Sequence, residues 1–259
     1  MATVKLHENA DRSDLPLVLL PPFPLDARLW DGVVARLSGN VVTVDPPGFG
    51  EGTADDQPSL EGYARALAVA LDDRGHDRVV LAGNSMGGYA ALAFAELFGA
   101  RIAGIGLVGT KAAADSDEPR QARLDMAAKA HAGAPAQDLV GPMIERMLAP
   151  ATLSDQPEVA QTLRDWLAAA PVDGIAWGQT AMAARPDRLA VLKGLDVPAA
   201  VVHGSEDPTC TAQDHQAMAD ALGVQVQTVP GRGHLVPLED PGVVAEALRQ
   251  LWARARADA

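Results

Sequence analysis

Short runs of consecutive apolar residues recur along the first 110 positions of the chain, without regular alternation with polar residues. Such runs are typical of strands that are buried on both faces of a parallel sheet. Alanine-rich amphipathic segments separate them. The pattern predicts strands at 16–20, 41–45, 78–83 and 105–109 and helices at 59–74 and 86–98. Strands that alternate with helices indicate an α/β fold with right-handed crossovers.

The alternation stops near residue 110 and returns only after residue 186. Between these positions there is no strand pattern, and prolines separate segments of helical character at 117–133, 140–149 and 158–171. After the interruption, the pattern predicts strands at 199–204 and 224–230 and helices at 211–222 and 239–256. The simplest arrangement is an α/β core built from residues 1–110 and 187–259, with residues 111–186 inserted as a helical cap.

The composition supports a large hydrophobic core and narrows the range of partners. Of 259 residues 48% are apolar, and the formal net charge of -13 argues against nucleic acids and anionic membranes, which attract basic surfaces. The single cysteine, Cys210, excludes an intramolecular disulfide. We find no signal-peptide pattern and no apolar stretch of about 20 residues. We therefore expect a cytoplasmic protein that acts on a small molecule.

Ser85 lies in a Gly-x-Ser-x-Gly pattern between a predicted strand and a predicted helix. At such a turn the flanking glycines let the strand and helix approach each other, and the serine hydroxyl is exposed above the sheet. A chance match to the bare pattern is a real risk, but the strand–turn–helix context is what the chemistry requires. The context predicts that Ser85 is a nucleophile.

A nucleophilic serine needs a base, and the base needs an orienting carboxylate. Among six histidines, His234 stands out because it follows the last predicted strand, where open α/β sheets bind their ligands. Asp207 is the preferred carboxylate and Glu206 the alternative, since both follow the preceding strand. Asp207 could instead serve as a turn residue or cap helix 211–222. The order Ser85, Asp207, His234 is the one expected for this arrangement.

The chain resembles the α/β-hydrolase family over nearly its whole length. The similarity rests on five motifs in combination: PPFPLDARLW (21–30), VDPPGFGEG (44–52), GNSMGG (83–88), HGSEDP (203–208) and GHLVPLEDP (233–241). The resemblance implies a mostly parallel, doubly wound sheet with a variable helical cap at 111–186. It also implies catalysis without a metal or an organic cofactor, and an oxyanion hole formed by the backbone amides of Phe23 and Met86.

The oxyanion loop departs from the family pattern at Pro21-Pro22, where many relatives read His-Gly. Proline lacks an amide hydrogen and fixes its φ angle. The amide of Phe23 remains available, so two interpretations stay open. The prolines either stiffen the loop without consequence or change the shape of the oxyanion hole.

These features predict a serine hydrolase that cleaves a carboxylic ester or lactone with an apolar group. Carbon–carbon bond hydrolysis of a diketone and perhydrolase activity with the same triad are alternatives, and a non-catalytic ligand-binding protein is a further one. Met and Trp residues adapt to apolar ligands, although such residues also pack helices together. The predicted substrate pocket consists of Leu25, Trp30, Met143, Met147 and Trp177.

Overall fold

The computed structural model describes residues 1–8 and 15–258, and a single sheet organises this part of the chain. Seven strands lie in the order β1-β3-β2-β4-β5-β6-β7. Neighbouring strands are parallel except for β1 and β3, which pair antiparallel. The predicted mostly parallel α/β sheet is therefore confirmed. The strands are β1 (Lys5–Glu8), β2 (Leu17–Leu20), β3 (Val41–Asp45), β4 (Val79–Asn84), β5 (Ile102–Val108), β6 (Ala199–Gly204) and β7 (Val226–Val229).

Helices connect the strands and cover both faces of the sheet. In the described residues they are α1 (Asp31–Val34), α2 (Leu60–Asp72), α3 (Met86–Phe98), α4 (Asp117–His131), α5 (Ala136–Val140), α6 (Ile144–Met147), α7 (Pro150–Asp155), α8 (Pro157–Ala168), α9 (Val172–Ala183), α10 (Leu189–Lys193), α11 (Ala212–Leu222), α12 (Val236–Glu239) and α13 (Pro241–Ala257). Short 3₁₀ helices lie at Ala27–Trp30, Gly99–Arg101 and Gly141–Met143. No helix among the described residues is long and apolar enough to cross a membrane.

The sheet forms the centre of the hydrophobic core. Strands β2, β4 and β5 are buried at every position, which explains their continuous apolar sequences. Helices α2, α3, α10 and α11 form one connected layer, whereas α13 packs on β4, β5 and β6 together with α1. The sheet therefore has a helical layer on each face, as a doubly wound fold requires.

Three of the differences from the sequence prediction have a local reason. Strand β1 was not predicted because this edge strand is only partly buried and carries polar residues. Helix α9 was not predicted either, since its two glycines weaken the helical signal. The predicted helix 239–256 begins instead at Pro241. The Asp240 side chain accepts a hydrogen bond from Val243 N at 3.2 Å and caps α13 there.

The helical segment (residues 111–186) contains α4 to α9 and lies over the carboxyl ends of the strands. Helix α9 meets the loop after β3, where a Cβ atom added to Gly174 would come within 2.1 Å of Gly48 O. The loop that carries His234 is also joined to this segment, because Leu235 N donates to Met147 O at 3.0 Å. These contacts position helices directly above the edge of the sheet where the predicted catalytic residues lie.

Candidate active site

Ser85 occupies a sharp turn between β4 and α3. Its φ of 52° is positive, and no other residue besides glycine in the described ranges has a positive φ. The neighbouring glycines leave room for this turn: a Cβ on Gly83 would lie 2.2 Å from Gly87 C, and one on Gly87 would lie 2.2 Å from Leu20 O. Backbone strain of this kind persists only where the surrounding structure enforces it, and it is concentrated at functional sites.

Hydrogen bonds hold the strained turn in place from several sides. Ser85 N donates to Val108 O at 3.1 Å, and Thr110 Oγ1 donates to Ser85 O at 2.8 Å. The amide nitrogen of the Asn84 side chain donates to Val108 O and, at 3.3 Å, to His234 O. The turn that carries the serine is therefore linked directly to the loop that carries the histidine.

Asp207 and His234 form a buried hydrogen-bonded pair. Oδ2 of Asp207 lies 2.8 Å from Nδ1 of His234, and the two residues are 8% and 4% exposed. The amides of Thr209 and Cys210 donate to the other carboxylate oxygen, at 2.7 and 3.1 Å. Burial acts to raise the pKa of Asp207, but His234 and these amides outweigh it and lower the pKa. The carboxylate is thus stabilised in its charged form.

The alternative carboxylate, Glu206, has a different environment. It is exposed, and one carboxylate oxygen accepts a hydrogen bond from Ser205 Oγ at 3.4 Å. The geometry favours Asp207 as the residue that orients His234. The proposed capping role of Asp207 belongs instead to Thr211, which forms a capping box with Asp214 at the start of α11.

The predicted oxyanion donors flank the serine turn. Met86 is the first residue of α3, so its amide is among the donors that an α-helix leaves free at its N-terminus. Phe23 lies in a turn after β2 that is closed by a 2.9 Å hydrogen bond from Leu25 N to Pro22 O. Pro21 and Pro22 are buried. The prolines thus form part of a compact turn that carries Phe23 to the wall of the cavity beside Ser85.

A cavity of about 210 Å³ opens beside Ser85 and His234. Among the predicted pocket residues, Met143 and Met147 line it. The remaining lining residues are Phe23, Tyr89, Pro119, Ala122, Arg123, Met126, Arg146, Gln179, Met182 and Thr209. Most of these come from the helical segment. The volume suits a small acyl or alcohol group.

Three residues of the predicted pocket lie elsewhere, which corrects that part of the sequence interpretation. Trp30 is fully buried in the main core. The indole nitrogen of Trp177 donates to Asp55 Oδ1 at 3.2 Å, so its polar edge is held by the chain following β3. Leu25 lines a separate depression beside Trp166. Large apolar side chains are more often core than ligand contacts, and these three follow that tendency.

Sequence reasoning missed several lining residues that share a helical spacing with the methionines. Pro119, Ala122, Arg123 and Met126 lie on one face of α4, and Arg146 lies three residues after Met143. Residues three, four and seven positions apart share a face of a helix. Their spacing from Met126 in α4 and from Met143 was the signal that could have found them.

Comparisons with known proteins agree with the fold described above. A model described as the Alpha/beta hydrolase family matches residues 17–247. The chain belongs to this family. A thermophilic esterase from Thermogutta terrifontis, solved with malate bound, shares 31% sequence identity with this chain. The two structures superpose with a TM-score of 0.92, and the match covers 98% of this chain and 94% of that chain. The protein is therefore a hydrolase.

Two further relatives are less similar in sequence. The enol-lactonase from Burkholderia xenovorans LB400 is 23% identical, with a TM-score of 0.88 and 97% of each chain covered, and shows the fold alone. The 2-succinyl-6-hydroxy-2,4-cyclohexadiene-1-carboxylate synthase of Enterobacter sp. (strain 638) is 26% identical over 239 residues. That match covers 91% of this chain and 90% of the relative.

Glu239 links the histidine loop of this α/β-hydrolase to its helical segment. Its buried carboxylate accepts hydrogen bonds from Gly233 N at 2.8 Å, from Ala149 N at 2.9 Å and from Thr152 Oγ1 at 2.6 Å. Burial raises the pKa of Glu239, although these donors act in the opposite direction. Glu239 lies within the GHLVPLEDP motif, but a single glutamate before a helix carries no sequence signal for this role.

His215 supports the serine turn from behind. Its Nε2 accepts a hydrogen bond from Thr110 N at 3.3 Å, and its Nδ1 donates to Thr211 O at 2.8 Å. Burial lowers the pKa of His215 to about 4 and so favours the neutral ring that this pattern requires. Since the Thr110 hydroxyl donates to Ser85 O, the imidazole helps to fix the residue that anchors the nucleophile.

Two groups of side chains bring potential metal-binding atoms together. The ligand atoms of Asp207, Cys210 and His234 lie within 4.8 Å of one another, but burial raises the pKa of the Cys210 thiol, which opposes the thiolate that a metal needs. His7, Asp45 and Glu51 form the other group. There the Asp45 carboxylate already accepts hydrogen bonds from the protein.

Proposed function

We propose that the protein is a serine hydrolase that cleaves a carboxylic ester or lactone with an apolar group. Ser85 is the nucleophile, His234 the general base and Asp207 the residue that orients the imidazole. The observation that carries the proposal is the 2.8 Å hydrogen bond between Asp207 Oδ2 and His234 Nδ1, beside a cavity that Ser85 also lines. A buried carboxylate on Nδ1 leaves Nε2 of the ring to accept the serine proton.

In the first half of the reaction, His234 Nε2 takes the proton of Ser85 as Oγ bonds to the carbonyl carbon of the substrate. The carbonyl oxygen becomes an oxyanion, which accepts hydrogen bonds from the amides of Phe23 and Met86. His234 then gives its proton to the leaving alkoxide as the C–O bond breaks. The product alcohol leaves, or remains attached if the substrate is a lactone, and the acyl group stays on Ser85.

The second half repeats these steps with water as the nucleophile. His234 takes a proton from water, hydroxide attacks the acyl carbon, and the tetrahedral intermediate again places its charge at the two amides. The imidazolium then protonates Ser85 Oγ as the acyl–oxygen bond breaks. The ionised Asp207 stabilises the imidazolium in both halves.

The walls of the cavity support the apolar part of the substrate assignment. Four methionines, Met126, Met143, Met147 and Met182, line the cavity beside the serine. Thioether side chains are flexible and polarisable, so they adapt to apolar groups of different shape. The esterase relative acts in the same broad class, whereas specificity among acyl substrates depends on the site rather than on the fold.

The proposal is tested by hydrolysis of p-nitrophenyl esters across a series of acyl lengths. Ser85→Ala should lower kcat by a factor on the order of 10⁶, whereas the exposed Ser154→Ala should leave it unchanged. A serine-directed phosphonate should add once to the wild type and not to Ser85→Ala, as measured by intact mass. Ser85→Ala with most of its activity would refute the mechanism.

Two other outcomes would redirect the assignment. A phosphonate adduct without ester turnover would indicate an active nucleophile with another substrate, and lactones, diketones and peroxide-dependent reactions would then be tested. Neither adduct nor turnover would favour a non-catalytic ligand-binding protein. Such a result would direct attention to the oxyanion loop at Pro21 and Pro22.

A further inference from the structure

The cavity beside Ser85 is positively charged, although the protein as a whole is acidic. Arg123 of α4 and Arg146 of α6 line it, and its lining includes no aspartate or glutamate among the described residues. The chain has 34 acidic and 21 basic residues and a formal net charge of -13. A cavity lined by one sign of charge attracts ligands of the opposite sign. The charge of the lining therefore favours an anionic ligand over a cationic one.

The carboxylate that pairs with Arg123 does not cancel the charge of that arginine. Asp115 lies behind the wall and accepts a hydrogen bond from Arg123 Nε at 2.7 Å. The same carboxylate also pairs with Arg185 at 2.6 Å and with Lys111 at 3.2 Å. Burial acts to raise the pKa of Asp115, but Arg185 and Arg123 outweigh it and hold the pKa low. One negative charge therefore faces three positive charges, and the cluster remains cationic.

Arg146 is the arginine that can reach a ligand. It is exposed at the rim of the cavity, between the two lining residues Met143 and Met147. In the described part of the chain it makes no hydrogen bond or ion pair, whereas Arg123 is held by Asp115 and Gln179. A guanidinium offers two parallel N–H donors that match the oxygens of a carboxylate. Arg146 therefore has its hydrogen-bonding capacity available.

We propose that the substrate carries a carboxylate that Arg146 binds, at the end remote from the bond that is cleaved. The methionines then contact the apolar chain between the carboxylate and the reacting carbonyl. Arg123, which Asp115 holds in position, adds positive potential to the cavity. This inference rests on the proposed serine hydrolase activity and adds a substrate class to it, namely monoesters of dicarboxylic acids or lactones that bear a carboxylate.

The test compares esters that differ only at the remote end of the acyl chain. Each p-nitrophenyl monoester of a dicarboxylic acid is assayed beside the p-nitrophenyl ester of the fatty acid of equal length, across several lengths. The measured quantity is the ratio of kcat/KM for the anionic ester to kcat/KM for the neutral one. The variants are Arg146→Gln, which removes the charge, and Arg146→Lys, which keeps it. Arg164→Gln is the matched control, an exposed arginine of α8 outside the cavity lining.

We expect the wild type to prefer the anionic ester at one or more lengths. Arg146→Gln should lower that ratio about tenfold, mainly through KM, as expected for the loss of a charged hydrogen bond. Arg146→Lys should recover part of the preference, added salt should weaken it, and Arg164→Gln should leave the ratio unchanged. A ratio that is the same in the wild type and in Arg146→Gln at every length would overturn the inference.

A binding measurement separates this inference from the proposed activity. Monomethyl adipate and methyl hexanoate are titrated calorimetrically into Ser85→Ala and into Ser85→Ala with Arg146→Gln. Tighter binding of the anion that depends on Arg146 supports the inference even if no ester is hydrolysed. Equal binding of the two ligands overturns it, whatever the hydrolytic activity.

Discussion

The α/β core and the helical segment supply the same cavity in two different ways. The core contributes Ser85 and His234 to the cavity lining, with Asp207 hydrogen-bonded to His234. All three lie at strand ends, in loops that hydrogen bonds to and from the backbone hold in place. The helical segment contributes side chains such as Met126 and Arg146 from helix faces. Backbone geometry therefore positions the proposed catalytic residues, whereas packed side chains of the helical segment form the cavity wall.

The two regions therefore tolerate substitutions to different extents. A loop fixed by a strained φ and by close backbone contacts permits few residue types, as Gly83 and Gly87 illustrate. A helix face accepts many side chains of suitable size, because its backbone hydrogen bonds are satisfied within the helix. Substitutions of the proposed catalytic residues in the core should abolish the reaction, and substitutions of the cavity-lining residues in the helical segment should change which substrate reacts.

After the loss of Ser85 itself, the largest effect is expected within the core, at the residue proposed to orient the base. Asp207→Asn should lower kcat by about 10⁴, because an amide cannot stabilise the imidazolium and favours the wrong tautomer. Glu206→Gln changes the adjacent, exposed carboxylate in the same way and should have little effect. The measurement is kcat for a p-nitrophenyl ester, with circular dichroism to check folding. A larger loss in Glu206→Gln would reverse the assignment.

The next largest effect is expected on the acid stability of the protein, through the buried His215 that supports the serine turn. The pKa of His215 falls from 6.5 to about 4 on folding, and the unfolded chain therefore binds the proton first as the pH falls. The contribution of the neutral His215 ring to the free energy of unfolding is complete above pH 6.5 and is lost as the pH falls towards 4. The expected loss is about 3 kcal/mol of the free energy of unfolding. His203, Asp207 and Asp214 act on the same ring.

His215→Gln tests this expectation because the glutamine oxygen can still accept from Thr110 N but does not titrate between pH 4 and 6.5. The free energy of unfolding is measured by urea denaturation across that range. The wild type should lose about 3 kcal/mol more than the variant as the pH falls. Parallel curves for the two proteins would show that this imidazole does not control the acid stability.

The contrast between the two regions also explains what the sequence predicted. The triad candidates follow from motifs because each motif encodes a backbone requirement, such as the glycines around Ser85. The pocket residues do not follow from the sequence, because an apolar residue gives the same pattern whether it faces a ligand or the core. Trp30 is the clearest example, since it adjoins the oxyanion loop in sequence and is fully buried in the core. Arg146 carries no motif and becomes informative only once the cavity is known.

Glu239 joins the two regions, so its substitution tests whether they are coupled. Both carboxylate oxygens of Glu239 accept hydrogen bonds, whereas the amide of Glu239→Gln has only one oxygen. Its NH₂ group must therefore face a donor, either Gly233 N on one side or Ala149 N and Thr152 Oγ1 on the other. An unsatisfied buried donor costs about 1–3 kcal/mol, and we expect a loss of about 2 kcal/mol in the free energy of unfolding. We also expect kcat to fall, because Gly233 adjoins His234.

Thr152→Val is the matched comparison for Glu239→Gln, because it removes one donor and leaves the carboxylate with its backbone partners. It should cost less stability, about 1 kcal/mol, and should change kcat little. Urea denaturation and ester hydrolysis are measured on both variants. Unchanged kcat in Glu239→Gln would mean that the histidine loop is positioned without help from the helical segment.

The smallest effect is expected where the wall alone changes. Met126→Ala shortens a half-buried side chain whose sulfur lies 3.1 Å from Gln179 Nε2 in the cavity wall. The wider cavity should favour longer acyl groups, changing the ratio of kcat/KM for long and short esters by about tenfold. Leu124→Ala shortens a neighbouring side chain of the same helix that is 39% exposed and outside the cavity lining. It should leave the ratio unchanged, and equal shifts in the two variants would mean that α4 does not determine specificity through its cavity face.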